Sequence, residues 1–209
     1  MAAAVLAHPA ASEIADPDAV REMIESYARE ARIGVVPGAD TPRGQLVCVA
    51  HGDLQADSIL VSPQCEVLVV DLAAFGRRHW AKDVAQLAVD MVLRGLDPGA
   101  DSFFWHRLPA WRTTLMRLGV LDTAIEDDRP QNAAVSGALR WIAQHIDAVL
   151  PPVRQPARAW EWHVALAEQL LHRTCERELP PAKRTVAMVA AYDQILLAAE
   201  RLAMLRSGP

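Results

Sequence analysis

Cysteine, lysine and long apolar runs are what this sequence has least of. Cys48, Cys65 and Cys175 are odd in number and form no C-x-x-C pair. That argues against a disulfide framework or a zinc knuckle and predicts a reducing, cytoplasmic setting. No run approaches the roughly 18 apolar residues of a membrane span, so none is expected. The opening MAAAVLAHPAAS has no basic segment before its short apolar run and makes a poor signal peptide. Basic excess is missing too: the net charge is −5 over 209 residues, with no field to draw nucleic acid. Internal repeats and low-complexity tracts are not seen either.

What is present is ordinary for a globular chain. Apolar residues make up 52% and charged residues 22%, enough for a sizeable core with a solvated surface. Residues 1–15 are predicted to be a flexible N-terminus and 16–209 one domain. Asp16-Pro17 reads as an N-cap followed by proline at the first helical position. Val20, Met23, Ile24, Tyr27 and Ala31 then mark one helix face, with a stop near Ile33-Gly34 and a turn-rich loop, VVPGADTPRG.

Three strands are predicted next: QLVCVA (45–50), SILVS (58–62) and EVLVV (66–70), with SPQC as a hairpin turn. The period then changes. Trp80, Val84, Leu87, Ala88, Met91 and Val92 recur at helical spacing from about 80 to 95. Further helices are predicted at 101–119, 131–149, 157–178 and 181–206, broken by proline at PPVRQP and at Pro180-Pro181. The expected fold is α+β, predominantly α: a small β region at 45–75, buried by a helical bundle at 80–206.

Chemistry gathers in HGDLQADSILV, His51 to Val61, and in VLVVDLAAFGRRHWAKDVAQLA after it. Together they resemble the aminoglycoside phosphotransferase and choline kinase group of protein-kinase-like enzymes. That family carries H-G-D-L-H-x-x-N-[IL]-[LI], a hairpin, a hydrophobic strand ending in [IV]-D, a glycine-containing turn and a helix beginning near D-[LV]-A. Here Asp53 and Asp71 stand 18 residues apart, and the resemblance covers about residues 45–95.

The resemblance implies a protein-kinase-like C-lobe and a role for each residue. Asp53 would orient an acceptor hydroxyl and take its proton; Asp71 would hold Mg²⁺ against nucleotide phosphates. His51 and Gly52 would shape the loop. Asp83, at the start of the following helix, would be structural. Two departures weaken the implied Mg²⁺ and ATP binding. Ser58 stands where the family has a metal-binding asparagine, with Asp57 beside it as a substitute, and Gln55 replaces the second histidine. Ahead of His51 there is also no lysine and no glycine-rich phosphate loop; the chain's lysines are Lys82 and Lys183, and the basic residues before the site are Arg21, Arg29, Arg32 and Arg43. Arginine does not replace the family's phosphate-gripping lysine. The prediction is a C-lobe without its nucleotide-binding lobe.

The segment FGRRHWAKDVAQLAVDM is also similar to kinase-derived modules among the ternary complex-associated domains (the ninth type) of bacterial conflict and signalling systems. That likeness implies a degenerate kinase acting as a binding or regulatory module. Its protein partner would be an NTPase or effector module, or a missing lobe, with no nucleic acid and no membrane. An active small-molecule phosphotransferase completed by another chain is the alternative. A purely structural helical interaction domain is a third reading; it holds if residues 45–75 do not form the loop and strand pair, and Asp53 and Asp71 facing one cavity would remove it. Away from the loop the readings are plainer. Arg77, Arg78 and His79 are expected in a solvated turn. His106, His145 and His163 are expected to pack beside tryptophan with one satisfied hydrogen bond each, and the six tryptophans to be mainly core anchors.

Overall fold

The computed structural model describes residues 15–32, 46–95, 108–122, 124, 133–149 and 155–207. The N-terminal stretch, the helix stop at Ile33-Gly34, the loop after it, Trp105, His106 and most of PPVRQP lie outside the described residues.

Six helices and two small sheets make up the described chain, which is α+β and mostly α. Helix α1 is Pro17–Arg32, and the Asp16 carboxylate accepts the Asp18 amide at 3.0 Å as an N-cap. Strand β1 (Val47–Ala50) precedes a 3₁₀ turn at Ala56–Ser58 and strands β2 (Ile59–Val61) and β3 (Val67–Val69). A second 3₁₀ turn, Leu72–Ala74, leads to β4 (Gly76–His79). The helices α2 (Lys82–Gly95), α3 (Leu108–Gly119), α4 (Ala133–Val149), α5 (Gln155–Cys175) and α6 (Pro181–Ser207) follow.

Both sheets are two-stranded and antiparallel. β2 and β3 form the predicted hairpin, with Leu60 opposite Leu68. Its turn is closed by the Ser62 hydroxyl, which accepts the Gln64 and Glu66 amides at 3.2 and 3.1 Å, while Cys65 takes a left-handed φ of 63°. β1 pairs with β4, Ala50 opposite Gly76 through Val47 opposite His79. β4 is where a solvated turn was expected. Its GRRH sequence has little strand propensity, and the pairing with β1 imposes the conformation.

The main core joins α2 to α6. Ala85, Ala88, Val89, Val92, Leu115, Leu118, Leu139, Leu166, Leu170 and Ala191 in it are all buried. α5 and α6 form the most extensive helix pair, and Ala187, Ala190 and Ala191 along it allow close approach. Val20 and Ile24 dock α1 onto Ala167, Met188 and Ile195, with Met23 and Tyr27 half-buried beside them. The face expected on α2 is buried but is not the whole of it: Ala88 and Val92 lie in the core and Trp80, Val84 and Met91 pack against it, while Ala85, Val89 and Leu93 are buried as well. α2 packs on several sides at once, so no single stripe describes it.

Polar groups inside the bundle are paired. Two carbonyls near the C-terminal end of α3 accept side-chain donors from α5 and α6. Trp162 Nε1 donates to Leu118 O at 3.0 Å, and Gln194 Nε2 to Leu115 O at 3.2 Å. His163 Nδ1 in turn donates to Gln194 Oε1 at 2.8 Å. Arg112 grips Asp193 with two bonds of 2.6 and 2.7 Å, tying α3 to α6. Among the described residues no buried side-chain nitrogen or oxygen lacks a partner, and no helix is long and apolar enough to cross a membrane.

One expectation is overturned. The bundle does not bury the β region. All three residues of β3, and Val47, Val49, Leu60 and Val61 of β1 and β2, are exposed. Strands of three or four residues present too little surface for the helices to cover, and the helices satisfy one another instead.

Candidate functional site

The loop after β1 is built around Gly52. Its φ is +89°, and a Cβ there would meet the Ala74 carbonyl oxygen at 2.2 Å, so only glycine fits. The Asp83 carboxylate, at the start of α2, accepts the His51 amide at 2.5 Å and the Gly52 amide at 2.8 Å. The structural role expected of Asp83 is thus a clamp on the loop backbone rather than a cap on its own helix. His51 is buried, and its Nε2 donates to the Val70 carbonyl at 2.7 Å. That leaves Nδ1 to accept the Asp53 amide at 3.4 Å, consistent with the Nε2–H tautomer.

One stripe of α2 holds the loop residue by residue. Lys82 Nζ donates to the Gly52 carbonyl, Gln86 to Asp53 Oδ1, and Arg94 to the Asp57 carboxylate. Asp90 accepts the Ala56 amide at 2.9 Å. Positions 83, 86, 90 and 94 recur every three or four residues, so one helical face carries the contacts of Asp83, Gln86, Asp90 and Arg94, with Lys82 next to it. Buried apolar residues occupy the other sides of the same helix.

Asp53 is exposed at the tip of this scaffold. The Gln86 amide, foremost, holds its carboxyl below the usual range, helped by the Gln55 amide at 3.1 Å and the nearby Lys82 and Arg173 charges, against a smaller effect of burial. It is therefore a carboxylate at neutral pH. Ser58 is buried; its hydroxyl donates weakly to the Asp53 carbonyl at 3.4 Å, and its own carbonyl accepts the Val70 amide at 2.9 Å. Val70 thus bonds both His51 and Ser58, and Asp71 follows it directly. Asp71 is exposed, in left-handed geometry (φ 63°, ψ 58°), and begins the 3₁₀ turn Leu72–Ala74. The fold therefore brings His51, Asp53, Ser58 and the end of β3 to one hub, as the loop and strand pair requires.

The donor set is thin for a resident metal. Among the described residues no three His, Cys, Asp or Glu side chains stand together as a metal site. Asp57, the expected substitute beside Ser58, is engaged by Arg94 instead. Asp71 and Ser58 offer two hard oxygens, and Mg²⁺ completes such a shell with phosphates and water.

The basic triplet divides. Arg77 and Arg78 are exposed on β4, and Arg78 braces the Ala74 carbonyl at 3.1 Å. His79 and Trp80 converge on Glu161 of α5, at 3.2 and 2.6 Å, and Glu161 is buried. His163 is buried with its one bond, as expected; His145 is exposed, stacked 3.6 Å from Trp141 and bonded to the Trp141 carbonyl. Trp111, Trp160 and Trp162 are core residues, whereas Trp141 is exposed.

Sequence reasoning missed Gln86, Asp90 and Arg94. Their signal was available as a polar stripe at helical spacing beginning from Asp83. Comparison with protein-family models, with curated proteins and with solved structures finds no match to this chain.

Proposed function

We propose that this chain is a protein-kinase-like C-lobe whose phosphotransfer chemistry has degenerated, and that it serves as a binding or regulatory module in a bacterial signalling or conflict system. One observation carries this reading: the apolar surface of the β region is open. Among the described residues, ten of the fifteen exposed large apolar side chains fall between Leu46 and Phe75, among them Val61, Leu68 and Phe75, each about 60% exposed. Apolar surface gathered in this way marks a place where another polypeptide sits. It lies in the segment of chain that carries Asp53, Ser58 and Asp71. A protein partner, either an NTPase or effector module or a complementary lobe, fits that surface better than a small substrate does.

Loss of chemistry rests on Ser58 and on the supply of cations. A buried serine hydroxyl turned toward a backbone carbonyl is a poor ligand where the family uses an amide oxygen. Neither lysine of the chain is placed as a phosphate clamp: Lys82 holds the Gly52 carbonyl and Lys183 the Leu93 carbonyl. The second reading is an active ATP-dependent phosphotransferase completed by another chain. It is favoured by Asp53, an exposed carboxylate on a braced loop, where it could accept a hydrogen bond from an acceptor hydroxyl and orient it.

Nucleotide titration with and without Mg²⁺ separates the two. The regulatory reading expects no binding of ATP by the purified chain at millimolar concentration. Tight Mg-ATP binding that disappears in Asp71→Ala would overturn it in favour of the enzyme.

A further inference from the structure

The two edges of the sheet β1·β4 differ in character. Trp80 donates its amide to the Leu46 carbonyl at 3.1 Å, one step beyond the pair Val47–His79. Bonded and unbonded pairs alternate along an antiparallel ladder, so Leu46, Cys48 and Ala50 turn their main-chain groups to β4. Val47 and Val49 turn theirs outward, as Arg77 and His79 do on the far side. The β4 edge is guarded: Arg77 and Arg78 are exposed, and the Arg78 guanidinium donates to the outward Arg77 carbonyl at 3.0 Å. The β1 edge is bare. No charge or proline interrupts Leu46 to Ala50, and Leu46, Val47 and Val49 are exposed. An edge left in this state is a template for another strand, and proteins that keep their edges unpaired normally blunt them.

Symmetry and charge choose the occupant. A two-fold contact sets residue i against j and j against i. Val47-Cys48-Val49 reads alike in both directions, so an antiparallel second copy with its axis at Cys48 sets Val47 against Val49 twice over. Both valines present outward main-chain groups, which gives four hydrogen bonds, the most that this short edge allows in any register. The edge has no charged side chain, so two copies meet without repulsion. Copies joined through β4 would instead set Arg77 and Arg78 against their like. The pairing also closes: its product is a four-stranded sheet whose two outer edges are the guarded β4 strands. The hairpin offers no such closure, since β2 and β3 are both uncharged and a copy added to one leaves the other open.

We propose that two copies of this chain associate edge to edge through β1, antiparallel, about a two-fold axis at Cys48. The inference is independent of the function proposed above: that rests on open apolar side chains, this on the main-chain edge of one strand. The contact is short, which puts it at the weak end of specific interfaces. It also fixes one close approach. Cys48, exposed and free, faces its own copy as an unbonded pair, with Cα atoms about 4.5 Å apart. That lies within the span of a disulfide.

Sedimentation equilibrium of the whole reduced chain, carried to millimolar protein, should show monomer and dimer and nothing larger. Val49→Lys, at an exposed position outside the β1·β4 bonds, should raise the dissociation constant by about tenfold or more. Val49→Pro removes an outward amide and no ladder bond, and should act alike; circular dichroism matching the parent chain checks that both variants fold. Val67→Lys on the hairpin should leave the dimer intact. Oxidised glutathione, which takes up the two protons and two electrons of a thiol pair, should trap the dimer through Cys48 and not through Cys65 or Cys175, which are exposed too. Cys48→Ser should abolish the trapping. A chain that stays monomeric at millimolar concentration overturns the proposal and leaves the edge to a strand of another protein. So does a dimer indifferent to Val49→Lys, one lost on Val67→Lys, or trapping shared equally among the three cysteines.

Discussion

The helical bundle and the β region hold themselves together by opposite means. In the bundle, apolar side chains are buried and a few polar groups are paired around them. In the β region the apolar side chains of β1, β2 and β3 face outward, and order comes from hydrogen bonds to buried polar residues of α2. A loop with no core of its own is fixed by a helix that has one. The difference is one of burial: the bundle hides its apolar side chains, and the β region leaves them in water.

The sharpest way to break this contrast is in the bundle. Leu166 is fully buried in the main core. Leu166→Ala should cost about 3–5 kcal/mol, the range for a large cavity in a packed core. Urea denaturation checks it, and a loss below about 1 kcal/mol would mean that the bundle is not the stabilising unit.

Asp83→Ala probes the other means. It leaves two amides, those of His51 and Gly52, without their acceptor, at a cost of about 2–4 kcal/mol. The effect should be local. Hydrogen exchange at His51, Gly52 and Asp53 should quicken well before exchange in α5 and α6. Uniform quickening across the chain would show that the loop and the bundle unfold as one unit.

A smaller effect separates the regions by pH. Burial, foremost, pushes the His163 imidazole below its ordinary 6.5; Arg201 also lowers it, while the Gln194 bond and Glu200 oppose. The folded state therefore binds fewer protons than the unfolded state once pH falls below about 6.5. This contribution is complete above that pH and is lost as the medium acidifies toward the depressed folded value. At one pH unit below the ordinary value the loss is up to about 1.4 kcal/mol. His163→Gln can keep a donor for Gln194 and should flatten this part of the stability profile between neutral and mildly acid pH. An unchanged acid slope would show that His163 is protonated in the folded state.

Legibility in the sequence followed the same division. The hairpin was readable because SPQC carries turn chemistry between Val-rich runs, and the loop because its residues matched a spaced pattern. The helices were readable from period and proline. β4 was not, since Gly76-Arg77-Arg78-His79 holds no β-branched residue and becomes a strand only through β1. The burial of Gln86 and Asp90 was not readable either: it depends on where the loop docks, which no local window contains. The exposure of β3 ran against its composition, because EVLVV reads as core wherever a second layer exists to cover it.

That last point gives the smallest expected effect and the closest test of the contrast. Leu68 lies opposite Leu60 in the hairpin and is 60% exposed. Leu68→Thr keeps strand propensity and removes apolar area that the folded chain already leaves in water. Its effect on stability should stay within about 0.5 kcal/mol, as for a surface substitution away from any special contact. The same change should weaken association with whatever protein covers the hairpin, because there the leucine would be buried and its loss felt in full. A destabilisation of the free chain above about 1 kcal/mol would place Leu68 in the fold's own core. The open apolar face would then be no docking surface, and the two regions would be held together by the same means.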